Sequence, residues 1–121
     1  MKVGIQPEGS FDATALGFSQ GVRVGEVLYV SGQVSTAEGL AAQVAEAWAS
    51  VVAVVTTAGG TAADIAKVNV FTRDETAWTH LQPLVEAAMA PPYPASTMVT
   101  VVGLARPEFL IEIEAIAHLG A

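Results

Sequence analysis

The sequence predicts a single α+β domain in which two helices cover one face of a mixed β-sheet. Two segments carry apolar residues at helical spacing, and six short segments rich in Val, Ile, Leu and Phe are bounded by Gly, Pro and Ser. Their order, β-β-β-α-β-α-β-β, is typical of the α+β class. A length of 121 residues with 52% hydrophobic content is sufficient for one core, and no linker, repeat or low-complexity segment divides residues 1–121.

Three strands are predicted before the first helix. Lys2–Gln6 is a short strand, and a loop rich in Pro, Gly and Ser continues from it through Gly17. Ser19–Val24 and Val27–Gln33 then flank Gly25-Glu26, a two-residue connection that is typical of a tight β-hairpin.

The first helix is predicted to begin at Leu40 and to stop at Gly59-Gly60. Gln43, Glu46 and Ser50 interrupt its apolar run, so the segment is interpreted as a core helix and not as a membrane span. Its apolar positions recur every three or four residues, at Leu40, Val44, Ala47, Val51 and Val54.

The second half of the chain predicts a strand, a helix and two more strands. Asp74 or Thr76 can cap a helix that runs to about Ala90, where two prolines end it. The strands are Ile65–Phe71 before this helix, and Ser96–Val102 and Leu110–Ala117 after it.

Charge and composition exclude several functions. Twelve acidic residues against five scattered basic ones give a net charge of −7, with no basic stripe to bind a nucleic-acid backbone. The absence of cysteine excludes thiolate sites, and the first residues form no apolar signal core, so a cytoplasmic protein is expected. Mean hydropathy is +0.50, an apolar surplus that favours a homo-oligomer.

Glu112 is the strongest candidate for chemistry. It lies on a mostly apolar predicted strand, where burial would raise its pKa and allow it to exchange protons near neutral pH. A solvent-facing or subunit-pairing glutamate is the alternative interpretation, and it is the favoured one for Glu114. His80 and His118 have no ligand spacing between them, so no metal site is expected, and no motif places either near a serine nucleophile.

Motifs along nearly the whole chain resemble the Rid family, the reactive intermediate deaminases also called YjgF-like and labelled endoribonuclease L-PSP. They are Gly17-Phe18-Ser19-Gln20, Leu28-Tyr29-Val30-Ser31-Gly32-Gln33, Ala42-Gln43, Ala58-Gly59-Gly60, Val68-Asn69-Val70-Phe71-Thr72-Arg73-Asp74, Pro94-Ala95-Ser96-Thr97 and Ile111-Glu112-Ile113-Glu114-Ala115-Ile116-Ala117.

This resemblance implies a chorismate-mutase-like fold assembled as a homotrimer, with clefts between subunits. It further implies hydrolysis of 2-imino acids to 2-oxo acids and ammonia without any cofactor. The matching positions give Glu112 as the catalytic residue that positions water, and Phe18, Ser31, Gly32, Ser96 and Thr97 as substrate-binding residues.

Two departures from the family pattern alter this expectation. Ser96 takes the place of the arginine that clamps the substrate carboxylate in deaminases, and Phe18 takes the place of a tyrosine. Because a guanidinium fork supplies two charge-assisted hydrogen bonds, we expect 2-imino acids to bind weakly and the cleft to suit an uncharged or apolar ligand. Arg106 is a possible substitute, although a loop arginine is more often solvated.

Three functions are therefore compared. The first is a divergent, cofactor-independent enzyme that carries out hydrolysis or proton transfer on an imine, an enamine or a related carbon–nitrogen compound, with Glu112 as general acid and base. The second is a non-catalytic trimer that binds a small molecule or a partner in the same cleft. Ribonuclease activity, which the family label suggests, is disfavoured by the negative charge.

Overall fold

Residues 1–120, which a computed structural model describes, form six strands and two α-helices in the predicted order. The helices are α1 (Leu40–Thr57) and α2 (Ala77–Ala88). The strands are β1 (Lys2–Ile5), β2 (Gly21–Val24), β3 (Val27–Gln33), β4 (Ile65–Thr72), β5 (Ala95–Thr100) and β6 (Ile111–His118).

One predicted loop contains regular structure. Ala13–Leu16 forms a turn of 3-10 helix in the connection between β1 and β2. The Asp12 carboxylate accepts hydrogen bonds from the backbone N–H and the hydroxyl of Thr14, and Gly17 ends the turn at φ 85°. Side-chain capping therefore orders a segment in which Gly, Pro and Ser indicated only a loop.

The six strands form one mixed sheet in the order β1-β2-β3-β6-β4-β5. Only β4 and β5 pair in parallel, because the chain crosses over through α2 between them. The last strand in sequence, β6, thus lies in the middle of the sheet between β3 and β4. The predicted α+β fold, with helices on one sheet face, is confirmed.

The core lies between the sheet and the two helices. Alternate residues of the central strands are fully buried, among them Leu28, Val70 and Ile113. Helix α1 buries Val44, Val51 and Val55 against them, and α2 adds Ala77, Leu81 and Val85.

Helix α1 is long and apolar enough to cross a membrane by length and composition alone. Seven of its 18 residues are buried, however, and its apolar side packs into the core. The prediction of a core helix is confirmed.

The other face of the sheet carries no helix within residues 1–120. Strand alternation places Tyr29, Phe71 and Ile116 on this open face, together with Glu112 and Glu114. Tyr29 is 49% exposed. The face therefore combines apolar side chains with carboxylates.

Candidate functional site

Glu112 on β6 lies directly against the backbone of Gly32 on β3. A Cβ atom built on Gly32 would lie 2.3 Å from Oε2 and 2.5 Å from Cδ of Glu112, closer than real Cβ contacts. Only glycine at this position leaves room for the Glu112 side chain in its observed place.

The pairing of β3 with β6 is irregular where these two residues meet. Val30 pairs with Ala115 and Gln33 pairs with Ile113, so three steps along β3 match two steps along β6. The extra residue makes a β-bulge at Ser31-Gly32. Bulges bend a strand and redirect its side chains, and they are frequent beside active sites.

Burial raises the pKa of Glu112 above its ordinary value, and the negative charge of Glu114 raises it further. Glu114 lies two residues along the same face, and its carboxylate accepts a hydrogen bond of 3.0 Å from Asn69 Nδ2. The two glutamates therefore differ in environment. Glu114 is hydrogen-bonded to Asn69 of β4, whereas the pKa of Glu112 is raised.

A groove of about 910 Å³ opens beside Glu112 and Gly32. Its volume is at the upper end of the range of about 300–1,000 Å³ for small-molecule sites. Phe11, Leu16 and Phe18, all from the connection between β1 and β2, line it with exposed apolar surface. The rings of Phe11 and Phe18 are 6.4 Å apart between centroids and tilted by 52°.

Two buried glutamines fix this apolar connection to the bulged strand. Gln20 donates from Nε2 to the Phe11 carbonyl at 2.8 Å. Gln33 donates from Nε2 to Gln20 Oε1 and to the Ser31 carbonyl, both at 3.0 Å. The wall that carries Phe11 and Phe18 is therefore held in place by hydrogen bonds from two buried glutamine side chains.

Arg106, from the connection between β5 and β6, also lines the groove. Its guanidinium is ion-paired through Nε with Glu108 and lies over the ring of Phe109, with Cζ 5.9 Å from the ring centroid. Buried Gln43 anchors this connection: Nε2 donates to the Glu108 carbonyl, and Oε1 accepts from the Leu110 N–H, both at 2.9 Å. Arg106 thus shares a cavity with Glu112.

The hydroxyl of Ser31, a predicted substrate-binding residue, makes a hydrogen bond within the protein. It donates to the Ser19 carbonyl at 2.5 Å, which ties β3 to the segment before β2. Ser31 therefore supports the bulge beside Gly32.

Ser96 and Thr97 lie on β5, away from the groove of their own chain. Ser96 borders a separate cavity of about 260 Å³ between β5 and α2, together with Trp78, Gln82 and Tyr93. The Thr97 hydroxyl accepts a hydrogen bond of 2.8 Å from Lys67 Nζ. A single chain thus brings Phe18, Gly32 and Glu112 together but separates them from Ser96 and Thr97.

Sequence reasoning did not identify Phe11, Leu16 or Phe109 as lining residues. All three lie in connections between strands, where no periodicity marks the direction of a side chain. The only available signal was that of large apolar residues within Gly- and Pro-rich segments. Among residues 1–120, no group of three or more His, Asp or Glu side chains could hold a metal ion.

Comparison with known proteins places this chain in one family. The family model described as endoribonuclease L-PSP matches residues 10–119. The chain therefore belongs to the endoribonuclease L-PSP family, the group that includes the YjgF and RidA proteins. No curated protein sequence matches the chain.

Three solved structures illustrate the likeness. The YjgF gene product of E. coli is 31% identical, with a TM-score of 0.84 over 96% of this chain and 98% of that one. RidA from the Antarctic bacterium Psychrobacter sp. is 30% identical, with a TM-score of 0.82 over 97% and 99%. Rv2704 of Mycobacterium tuberculosis, a member of the YjgF/YER057c/UK114 family, is 28% identical, with a TM-score of 0.85 over 98% and 100%.

Proposed function

We propose that this protein is a divergent, cofactor-independent Rid-type enzyme that hydrolyses the carbon–nitrogen bond of an imine, an enamine or a related compound. The observation that carries the proposal is the position of Glu112. Its carboxylate lies over Gly32 in a groove of small-molecule size, and burial raises its pKa. A raised pKa brings a carboxyl group closer to the proton affinity that general acid and base catalysis requires.

The chemistry requires one proton carrier. Water adds to the carbon of the C=N bond, the nitrogen takes the electron pair of the π bond, and Glu112 transfers a proton from the water to the nitrogen. Glu112 then transfers the remaining hydroxyl proton to the nitrogen as the carbon–nitrogen bond breaks and the C=O bond forms, which releases a carbonyl compound and ammonia or an amine. Glu112 returns to its starting state, so no cofactor is consumed.

The complete cleft is proposed to form between subunits of a homotrimer. Strand β5, which carries Ser96 and Thr97, would then border the Glu112 groove of a neighbouring chain. The exposed apolar side chains of the open sheet face support this assembly, because Tyr29 is 49% exposed and Val99 is 43% exposed. A cytoplasmic location is part of the same proposal.

The serine at position 96 favours a second candidate, a trimer that binds a small molecule without catalysis. Ser96 borders its cavity as an exposed hydroxyl and offers no guanidinium for a carboxylate. Ordinary 2-imino acids are therefore expected to be poor substrates, and turnover of other imines decides between the two candidates.

The deciding experiment measures ammonia or amine release from a panel of imines that differ in size and charge. Turnover by the parent protein and its loss in Glu112→Gln would support the enzyme. Glu114→Gln is the matched control, because its amide oxygen can still accept from Asn69. Its turnover should persist, with the pH profile moved to lower pH because Glu114 raises the pKa of Glu112. Full activity in Glu112→Gln, or no turnover of any imine, would contradict the proposal that the protein is an imine hydrolase dependent on Glu112.

A further inference from the structure

The groove beside Glu112 combines one cation with an aromatic wall. We infer that it binds an organic anion with an apolar body, the anionic group on Arg106 and the body on Phe11, Leu16 and Phe18. The inference rests on the proposed function in that it names the substrate class of the same site. It differs from a short 2-imino acid, in which the carboxylate is bonded directly to the reacting carbon.

Arg106 is the cation that the groove presents. Three ionisable side chains line it within the described chain: Glu46, Glu112 and Arg106. The Ser35 hydroxyl donates a hydrogen bond of 2.9 Å to the Glu46 carboxylate. Glu112 is then the acid and base of the proposed reaction, and Arg106 is the group that binds the anion. A cationic group in the groove of a protein with a net charge of −7 would be a local exception to the surrounding negative charge.

The guanidinium makes two contacts within its own loop. Glu108 is ion-paired with Nε, a contact that does not use Nη1 or Nη2. The Phe109 ring holds the guanidinium on one side. The planar fork of an arginine can bind a carboxylate with two parallel hydrogen bonds.

The apolar wall sets the second requirement. Leu16 is 70% exposed and Phe11 is 56% exposed, although both belong to a segment that buried glutamines hold in place. Exposed apolar side chains on an ordered wall favour a ligand that covers them. A volume of about 910 Å³ leaves room for an aromatic or branched body between Arg106 and Glu112.

The test is equilibrium binding by calorimetry, with unreactive probes and the parent protein. We expect 3-phenylpropionate to bind, and propionate and 3-phenylpropionamide to bind at least about tenfold more weakly, because each lacks one of the two contacts. Arg106→Gln should lower affinity for 3-phenylpropionate by about tenfold or more, and Arg106→Lys should restore only part of it. Leu16→Ala should lower the affinity for 3-phenylpropionate but not the affinity for propionate.

Lys2→Gln is the matched control, since it removes one positive charge from an exposed position on β1 and should leave binding unchanged. Equal binding of the acid and its amide, an unchanged affinity in Arg106→Gln, or no binding of any probe would overturn the inference. Anion binding without imine turnover would contradict the proposed enzymatic activity and leave the Arg106 inference standing. Turnover of neutral imines without anion binding would contradict the Arg106 inference and leave the proposed enzymatic activity standing.

Discussion

Glu112 and Gly32 occupy complementary space: the carboxylate oxygen of Glu112 lies only 2.3 Å from the point where a Cβ of residue 32 would be. A side chain at residue 32 would overlap the Glu112 side chain in its observed place. The bulge at Ser31-Gly32 and the raised pKa of Glu112 are therefore parts of one local arrangement.

Gly32→Ala is expected to displace the Glu112 side chain and to lower turnover or ligand binding at the groove. Overpacking of this kind typically costs about 1–3 kcal/mol, so the variant should remain folded at reduced stability. Urea unfolding and activity measured on the same samples check both effects. The double variant Gly32→Ala with Glu112→Ala should recover most of the lost stability. A Gly32→Ala variant as stable and active as the parent would show that the close contact does not hold in solution.

Glu112→Gln is expected to stabilise the protein at neutral pH. A raised pKa means that the folded state holds more protons than the unfolded chain between the ordinary glutamate value and the raised one. The free energy of unfolding therefore falls as pH rises through that interval, and the loss persists above it. The glutamine variant removes this loss.

Urea unfolding of Glu112→Gln and its parent at pH 4 and pH 8 measures the effect. The variant should be more stable at pH 8 and nearly equal to the parent at pH 4. Glu75→Gln is the matched control, because it removes the same charge at an exposed position before α2. A variant that is less stable than the parent at pH 8 would indicate that ionised Glu112 makes favourable contacts.

The sequence was sufficient for the fold because each element has a local signal. The strand Val27–Gln33 was predicted to the residue, since a tight turn fixes its start and Gly32-Gln33 its end. The starts of β1, α1 and β4 were also predicted to the residue, whereas other bounds differ by a few residues, and β2 begins at Gly21 instead of Ser19. Helix ends and strand ends depend on tertiary contacts that a local pattern does not contain.

The candidate site could be predicted only in part. Glu112 was named from its apolar strand, Phe18 and Gly32 were named from the resemblance, and the groove brings the three together. Their separation from Ser96 follows from the strand order, in which β4 lies between β6 and β5. Strand order depends on long-range pairing, so no segment of sequence contains it.

Ser96→Arg is expected to raise hydrolysis of 2-iminobutyrate, which the parent protein should hydrolyse slowly. The new guanidinium would supply the two charge-assisted hydrogen bonds that a short carboxylate needs, each worth about 1.5–3 kcal/mol. Ser96→Lys is the matched control, because it adds the charge without the planar fork and should give a smaller gain. Comparison of kcat/KM among the three proteins measures the effect. Rapid hydrolysis of 2-iminobutyrate by the parent would contradict the expectation.

The proposed trimer predicts a mass near three times the 12.4 kDa of one chain in solution. Tyr29→Glu should reduce this mass, because it adds a charge at a half-exposed position on the open sheet face, where burial between subunits would be costly. Ala87→Glu adds the same charge at an exposed position on α2 and should leave the mass unchanged. Light scattering over a range of protein concentrations measures all three, and circular dichroism verifies that each variant is folded. A parent protein that is monomeric at micromolar concentration would contradict the composite cleft, and a trimeric Tyr29→Glu would place the subunit contact on another surface.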